Sequence, residues 1–202
     1  MNSDILLSAL VGYIFGSIPF GLLITKISGV GDIRNIGSGN IGATNVLRTG
    51  RRSLAAGTLI LDGAKGAFSI FIVGFFLSDT YLGVAGASAV IGHCYPVWLR
   101  FSGGKGVATG LVVIAMLSPI AGLLFIVTWL SVAFLLKYSS LSALTAFIVS
   151  SISALFLEKG DIAVAIIFIS ALAFLRHKEN IKRLIKGKED KIATSFAPKP
   201  KG

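Results

Sequence analysis

Glycines, hydroxyl groups, amides and cations occur together in three polar segments of this 202-residue chain. In the first segment, residues 31–48, four glycines allow the backbone to fold its N–H groups around an anion. Hydroxyl and amide side chains add further donors, and arginines add positive charge. The candidate anion ligands of this segment are Ser38, Gly39, Asn40, Gly42, Ala43, Thr44, Asn45 and Arg48.

The second segment, residues 101–109, places one lysine among glycines. Lys105 follows Gly103 and Gly104 and precedes Gly106, and we expect a helix to begin directly after it. Free N–H groups and the helix dipole favour phosphate at such a position. The segment is not a Walker A loop, because that motif has a different glycine spacing and a serine or threonine directly after its lysine.

The third segment, residues 176–184, continues the last apolar stretch as a helix. His177 and Asn180 share one side of that helix, with Arg176 and Arg183 close by. Taken singly, the segments are also typical of glycine turns, headgroup anchors and topology signals. Because neutral donors recur beside cations in all three, the segments together predict an anion-binding site.

The composition shows what kind of scaffold positions these segments. Hydrophobic residues make up 54% of the chain and charged residues only 14%, and the mean hydropathy is +0.84. Uncharged stretches at residues 5–25, 80–99, 106–136 and 138–157 can each reach across a bilayer core of about 30 Å. We therefore expect an all-α, polytopic membrane protein with a lipid bilayer as partner. The net charge of +10 is interpreted as a topology signal, without a nucleic-acid partner.

A proline decides the number of membrane segments. Residues 107–136 are about 45 Å long as one helix, too long for a simple crossing, and Pro119 lies inside them. Dividing the stretch at Ser118 and Pro119 predicts seven transmembrane segments, with the N-terminus outside and the C-terminus cytoplasmic. This arrangement leaves only Lys159 outside and only Lys65 within a span, so the other lysines and arginines face the cytoplasm. We predict one domain, residues 1–196, and a disordered tail, residues 197–202.

Two charged residues interrupt the second apolar stretch. Asp62 and Lys65 lie three residues apart and can face one another on one helical turn. We interpret them as a charge pair satisfied between helices, with catalysis as the alternative. His93, near the cytoplasmic end of its span, is interpreted as a hydrogen-bonded core residue. All three are expected to support the structure.

The residue types exclude several reactions. The cytoplasmic side lacks the clustered carboxylates of metal-dependent transfer, so no metal and no other cofactor are expected. No nucleophile with a base and an orienting group is visible around Cys94 or a serine. The His–four residues–Asp motif of acyl-CoA-dependent acyltransferases is missing, because Trp98 and Lys182 stand at the acid position. Chemistry by positioning and charge stabilisation is left.

The order and spacing of the motifs resemble the bacterial acyl-phosphate:glycerol-3-phosphate acyltransferases over nearly the whole chain. The motifs are residues 16–21 (GSIPFG), residues 37–45 (GSGNIGATN) with Arg48, Asp62 with Lys65, His93 with Pro96, residues 103–109 (GGKGVAT), and Arg176-His177 with Asn180 and Arg183. The resemblance implies transfer of a fatty acyl group from acyl phosphate to the sn-1 hydroxyl of glycerol 3-phosphate. The products would be lysophosphatidic acid and phosphate, the first acylation step of phospholipid biosynthesis.

The resemblance also implies a location and a partner. The enzyme would lie in the bacterial cytoplasmic membrane, with its active site on the cytoplasmic side. It would work without acyl-CoA or acyl-carrier protein, and an upstream soluble enzyme would supply the acyl phosphate.

Roles for the three segments follow as hypotheses from this reaction. The loop of residues 38–45 and the glycines at positions 103, 104 and 106 would bind acyl phosphate, with Lys105 neutralising the leaving phosphate. Glycerol 3-phosphate would be held by Arg48, Lys105, His177, Asn180 and Arg183. We expect catalysis by Lys105, His177 and Arg48. The base is either His177, which titrates near neutrality, or a substrate phosphate.

Two alternatives use the same residues differently. A small transporter for organic anions would use the cations for binding, with Asp62 and Lys65 as a relay within the membrane. The gathering of polar residues at one face and the lack of a visible repeat count against it. A non-catalytic protein that binds anionic lipids would tolerate Lys105→Arg and the loss of the Ser38 and Asn40 donors.

Overall fold

The computed structural model describes residues 2–158 and 160–192, without the side chain of Asn2. All regular secondary structure in these residues is helical, as predicted. The tail expected at residues 197–202 lies outside the described residues. The α-helices are α1 Asn2–Gly16, α2 Phe20–Ile27, α3 Ala43–Leu47, α4 Arg52–Phe76, α5 Leu82–Cys94, α6 Val107–Leu117, α7 Pro119–Leu136, α8 Ser139–Leu157, α9 Asp161–Arg176 and α10 Lys178–Ile185. Single 3-10 turns occupy Ile33–Asn35, Asp79–Tyr81 and Val97–Leu99.

The first apolar stretch is two helices rather than one. Helix α1 ends at Gly16 and helix α2 begins at Phe20, directly after Pro19. Proline has no N–H to donate and disfavours helical backbone in the residue before it, so the helix breaks there. The break leaves the carbonyl of Ile18 outside a regular helix, where it accepts a hydrogen bond from the side chain of Lys65 at 2.8 Å.

Small residues bring α1 and α5 into close contact. A Cβ atom at Gly12 would overlap the carbonyl of Ala85, and one at Gly16 would overlap the carbonyl of Ala89. The glycines at positions 12 and 16 therefore allow α1 to pack closely against α5. In lipid the hydrophobic effect does not drive helices together, so van der Waals contacts between closely packed backbones stabilise their association.

The division of residues 107–136 at the proline is confirmed. Helix α6 ends at Leu117 and α7 begins at Pro119, with the Ser118 hydroxyl accepting from the N–H of Ala121. Helix α6 has 11 residues and is about 16 Å long, and its N-terminus carries the Lys105 loop. It packs in the core beside the buried pair Phe125 and Phe147, whose rings meet edge to face at 4.9 Å.

Five helical stretches in the described residues are long and apolar enough to cross a membrane: Ser3–Ile27, Arg52–Phe76, Asp79–Leu99, Pro119–Leu136 and Ser139–Leu157. Large apolar side chains on them face outward, such as Phe134 at 82% exposure and Phe156 at 83%. Helices α6 and α9 correspond to the other two predicted segments and are shorter, with 11 and 16 residues. The described residues are thus those of a helical protein with several apolar segments long enough to cross a membrane. That the chain crosses seven times stays a prediction.

Candidate anion-binding site

The first polar segment is a loop built around the side chain of Asn45. Its amide nitrogen donates to the carbonyls of Ile33, Ile36 and Asn40, and its amide oxygen accepts from the N–H of Ser38 at 3.0 Å. Asn45 is 2% exposed. The side chain is therefore saturated by the loop itself and holds the loop closed before α3.

Other residues of this loop shape the space around Arg48. Gly37 has a φ of +57°, and a Cβ there would come within 2.5 Å of the Asn45 amide oxygen and 2.6 Å of Arg48 Cδ. Only glycine leaves Arg48 its place beside Asn45. Arg48 donates from Nη2 to Asp190 at 3.2 Å, while its buried Nε has no hydrogen-bond partner within the described residues. An unpartnered buried donor on a cation suits an anionic ligand.

The remaining residues of the loop lead into α3. Gly39 has a φ of +72°, and the N–H of Gly42 donates to the side chain of Asn40 at 3.1 Å. Ala43 is the first residue of α3. The hydroxyl of Thr44 lies 3.4 Å from that of Ser139, at the start of α8. This contact joins the first segment to the start of α8.

The Lys105 loop is held from two sides. On one side, the N–H groups of Gly103 and Gly104 donate to the carbonyls of Cys94 and His93, at 3.1 and 2.9 Å. On the other, Arg176 donates to the carbonyls of the same two glycines, at 2.8 and 3.0 Å. These glycine amides are thus engaged within the protein. Gly106, with a φ of +78°, turns the chain into α6.

Lys105 and Asn180 come together as predicted. Lys105 Nζ donates to the Asn180 side-chain oxygen at 2.6 Å, and the Asn180 amide nitrogen donates to Glu189 at 2.6 Å. An ammonium only donates and a carboxylate only accepts, so the Asn180 amide has one possible orientation. Glu189 also accepts from Ser140 at 2.6 Å and from Arg183 at 2.7 Å. The second and third segments therefore form one hydrogen-bonded network.

Burial and charge change the titration of this network. Burial, together with the positive charges of Arg183, Arg48 and Arg176, lowers the pKa of Lys105 to about 8, although the carboxylate of Glu189 acts to raise it. Burial would raise the pKa of Glu189, but hydrogen bonds from Ser140, Asn180 and Arg183 outweigh burial and hold it below its ordinary value. Glu189 is therefore ionised at neutral pH, and Lys105 is largely an ammonium.

His177 lies at the junction of α9 and α10 and is 2% exposed. Burial, and after it the charge of Lys105, lower the pKa of His177 to about 4. The sequence-based expectation of titration near neutrality is wrong, because the sequence does not show how deeply the ring is buried. Nδ1 lies 2.7 Å from the carbonyl of Ala173. A carbonyl only accepts, so Nδ1 carries the proton and Nε2 of the neutral ring is an acceptor.

The structure brings Arg48, Lys105, Asn180 and Arg183 into one electrostatic cluster, with the His177 ring among them. It adds three residues that the sequence did not assign a role: Ser140, Arg176 and Glu189. Arg176 is part of the third motif, but its hydrogen bonds to the carbonyls of Gly103 and Gly104 cannot be predicted from the sequence. Glu189 reaches the site only because the chain turns back after Gly187, which has a φ of +64°.

The three supporting residues lie inside the spans, next to the Lys105 loop. Asp62 and Lys65 form the predicted ion pair, with 2.9 Å between Oδ1 and Nζ. His93 Nδ1 lies 2.8 Å from the same ammonium. The prediction that Asp62 and Lys65 face one another is confirmed, and His93 joins them in a cluster of three residues.

Fold and site together define a multi-pass helical membrane protein with a cationic, donor-rich site suited to an anion. The family model of glycerol-3-phosphate acyltransferase matches residues 6–187, and the chain belongs to this acyltransferase family. The chain is 51% identical over 192 residues to a glycerol-3-phosphate acyltransferase of Mesorhizobium japonicum, covering 95% of this chain and 98% of that protein. It is also 51% identical to the glycerol-3-phosphate acyltransferase of Gluconobacter oxydans over 204 residues, with 97% of both chains covered.

Two solved structures share the fold. Both are crystal structures of PlsY, an integral membrane glycerol 3-phosphate acyltransferase, one in a glycerol 3-phosphate form and one in a lysophosphatidic acid form. They match with TM-scores of 0.86 and 0.85 at 37% and 35% identity, over 93% of this chain and 94% of theirs. The family resemblance inferred from the motifs is thereby confirmed.

Proposed function

We propose that the protein transfers a fatty acyl group from acyl phosphate to the sn-1 hydroxyl of glycerol 3-phosphate, giving lysophosphatidic acid and inorganic phosphate. The observation that carries the proposal is the Lys105 ammonium. It is buried, hydrogen-bonded to Asn180 at 2.6 Å, and surrounded by the positive charges of Arg48, Arg176 and Arg183. Such an excess of cations favours two phosphate-bearing substrates. The substrate and product named for the two PlsY structures agree with this reaction.

Glycerol 3-phosphate would be bound by the cations and oriented by the histidine. Arg48 and Arg183 would hold its phosphate, and Lys105 and Asn180 would complete the site. The neutral His177 ring offers Nε2 as an acceptor for the attacking hydroxyl. A pKa of about 4 makes His177 a weak base at neutral pH. We therefore assign His177 the orientation of the hydroxyl, and the departing phosphate the final uptake of its proton.

The reaction balances without a covalent intermediate. The sn-1 oxygen forms a bond to the acyl carbonyl carbon, the bond from that carbon to the phosphate oxygen breaks, and the electron pair leaves with phosphate. The hydroxyl proton ends on the released phosphate. Lys105 would neutralise the charge that grows on this leaving group. Positioning of the two substrates supplies the rest of the rate enhancement.

The acyl phosphate would lie between the first two segments. Ser38, Asn40 and Thr44 would donate side-chain hydrogen bonds, while Asn45, Gly103 and Gly104 shape the loops through their internal contacts. The N–H groups of the first turn of α6 would face the phosphate at the helix N-terminus. This assignment refines the roles expected from the sequence, where Asn45 and both glycines were direct ligands.

The enzyme would lie in a bacterial inner membrane. Seven crossings with a cytoplasmic C-terminus put all three polar segments on the cytoplasmic face of a bacterial inner membrane. Residues 1–196 would act as one domain. Acyl phosphate is a reactive mixed anhydride, so a soluble enzyme that makes it would have to work upstream.

The test uses purified protein in liposomes with palmitoyl phosphate and labelled glycerol 3-phosphate. Labelled lysophosphatidic acid is expected from the wild type, at least about 100-fold less from Lys105→Ala, and an unchanged rate from Lys182→Ala. Lys182 is the matched control because it is an exposed lysine that pairs with Glu179. Product formed with palmitoyl-CoA but not with palmitoyl phosphate would refute the proposed donor.

His177→Ala separates orientation from proton abstraction. Loss of hydroxyl orientation predicts a lower kcat at every pH between 6 and 9. His177→Gln, whose side-chain oxygen can still accept from the hydroxyl but cannot take up its proton, should keep more activity than His177→Ala. Equal losses in the two variants would instead make His177 the base. Transport of labelled glycerol 3-phosphate into sealed liposomes without product would favour the transporter alternative.

A further inference from the structure

A buried polar cluster of Asp62, Lys65 and His93 has no part in the substrate contacts and chemical steps assigned above. Their side chains are between 2% and 4% exposed. The Lys65 ammonium lies 2.9 Å from Asp62 Oδ1, 2.8 Å from His93 Nδ1 and 2.8 Å from the carbonyl of Ile18. The ammonium thus donates hydrogen bonds to His93 and Ile18, and Asp62 is its ion-pair partner. Burying such charges costs free energy even when they are paired, so a role beyond stability is expected.

The ammonium sets the orientation of the His93 ring. An ammonium has no acceptor, so Nδ1 of His93 must accept, and the ring proton is on Nε2. The ring is therefore neutral and is held by one edge. Its other edge, which carries Nε2, faces the Lys105 loop.

His93 contacts this loop twice, at Gly104. Its carbonyl accepts the N–H of Gly104 at 2.9 Å. A Cβ atom at Gly104 would overlap His93 Nε2 and lie 2.7 and 2.9 Å from the ring carbons Cε1 and Cδ2. The ring thus forms a wall against the backbone of the residue that directly precedes Lys105. Arg176 closes the opposite side by donating to the Gly104 carbonyl at 3.0 Å.

The cluster is also tied to the helices that frame the site. The hydroxyl of Thr109, in the first turn of α6, donates to the carbonyl of Asp62 at 2.7 Å. The Ile18 carbonyl belongs to the break between α1 and α2. The Lys65 ammonium therefore connects the α1–α2 break, α4 and α5 at the level of the Lys105 loop.

We propose that Asp62, Lys65 and His93 are positioning residues for Lys105. The Lys65 ammonium fixes the His93 ring, the ring fixes Gly104, and Gly104 sets where the Lys105 ammonium stands. The inference rests on the proposed function of Lys105, and it goes beyond the supporting role by naming the contact through which the cluster acts. A displacement of about 1 Å at a reacting group can lower a rate about 100-fold.

A double-mutant cycle between His93 and Gly104 tests this contact. His93→Asn keeps an acceptor near Nδ1 for Lys65 but removes the edge that carries Nε2. Gly104→Ala adds the methyl group that the wild-type ring excludes. We expect each single variant to lower kcat about 10- to 100-fold. In the double variant the methyl fills the vacated space. Its kcat should therefore be about fivefold or more higher than that of the less active single variant.

The Michaelis constant distinguishes positioning from general damage. KM for glycerol 3-phosphate should rise much less than kcat falls in all variants, because Arg48, Arg183 and His177 still hold this substrate when Lys105 is displaced. Gly57→Ala is the matched control for the added methyl. A Cβ at Gly57 would lie 3.8 Å from Ile24, an ordinary contact, so full activity is expected.

Two results would overturn the inference: losses that simply multiply in the double variant, or a folded Gly104→Ala protein with wild-type kcat. The second holds whether or not His93→Asn folds. If the wild type itself makes no product, the proposed function fails. The contact is then tested by measuring the thermal unfolding midpoints of the wild type, the two single variants and the double variant. Coupling between the two sites there would still support the contact, whereas additive shifts would reject it.

Discussion

Alkaline pH should inactivate the enzyme through Lys105. The pKa of Lys105 falls from its ordinary 10.5 to about 8, with burial as the largest cause. This decrease corresponds to about 3 kcal/mol of free energy disfavouring the charged form. A lysine is positively charged below its pKa, so the form that neutralises the leaving phosphate is lost as the pH rises through about 8. Above that pH, kcat/KM should fall about tenfold for each pH unit.

Lys105→Arg is the matched variant for this prediction. A guanidinium stays charged throughout the accessible range, and its N–H groups can still donate to Asn180. We expect a lower rate at pH 7, because the longer, planar group fits a site built for an ammonium poorly. Between pH 7 and 10, however, the rate should be flat.

The assay is initial-rate production of labelled lysophosphatidic acid from palmitoyl phosphate between pH 6 and 10. Hydrolysis of palmitoyl phosphate without enzyme is measured at each pH and subtracted. A wild-type profile that is flat to pH 10 would refute the role of the Lys105 charge. So would an alkaline fall that persists unchanged in Lys105→Arg, because another group would then be titrating.

Three further predictions concern binding, stability and topology. Arg48→Gln should raise KM for glycerol 3-phosphate about 10- to 100-fold by removing a charge-assisted contact. Arg51→Gln, at an exposed arginine, should leave this KM unchanged. An equal rise of KM in both variants would argue against a specific role for Arg48. Glu189→Ala should lower the free energy of unfolding by roughly 2–4 kcal/mol, because Ser140, Asn180 and Arg183 lose their shared acceptor. Urea unfolding in detergent measures this loss, and Glu179→Ala, on the exposed face of α10, should leave the free energy of unfolding unchanged. In a protein with Cys94 replaced by alanine, a cysteine at Lys186 should react with an impermeant maleimide only from the cytoplasmic side and one at Asp79 only from outside; the opposite result would reverse the topology.

The sequence alone determined the helical architecture and much of the site membership. Apolar stretches long enough for a bilayer require helices, because only helices and closed barrels satisfy their own backbone groups in lipid. Pro119 marked the end of α6 correctly, because the loss of its N–H is a local effect that needs no neighbours. Lys105 and Asn180, 75 residues apart, were assigned to one site from their motifs and lie 2.6 Å from each other.

The tertiary structure decided what each of these residues can do. Asn45 was expected as a ligand, but its amide is used by the carbonyls of its own loop. His177 was expected to titrate near neutrality, but burial lowers its pKa to about 4. Hydrogen-bond saturation and desolvation depend on which groups surround a side chain, and a motif lists only residue types.

Long-range closure is the other part that only the fold decided. Glu189 joins the site because the chain after α10 turns back onto Ser140 and Asn180. The His93 ring stands against Gly104 because α4, α5 and the α1–α2 break meet at the Lys65 ammonium. Local patterns determine which segments become helices and which residues can bind an anion. The distances that set pKa values and place a lysine come from packing between segments distant in sequence.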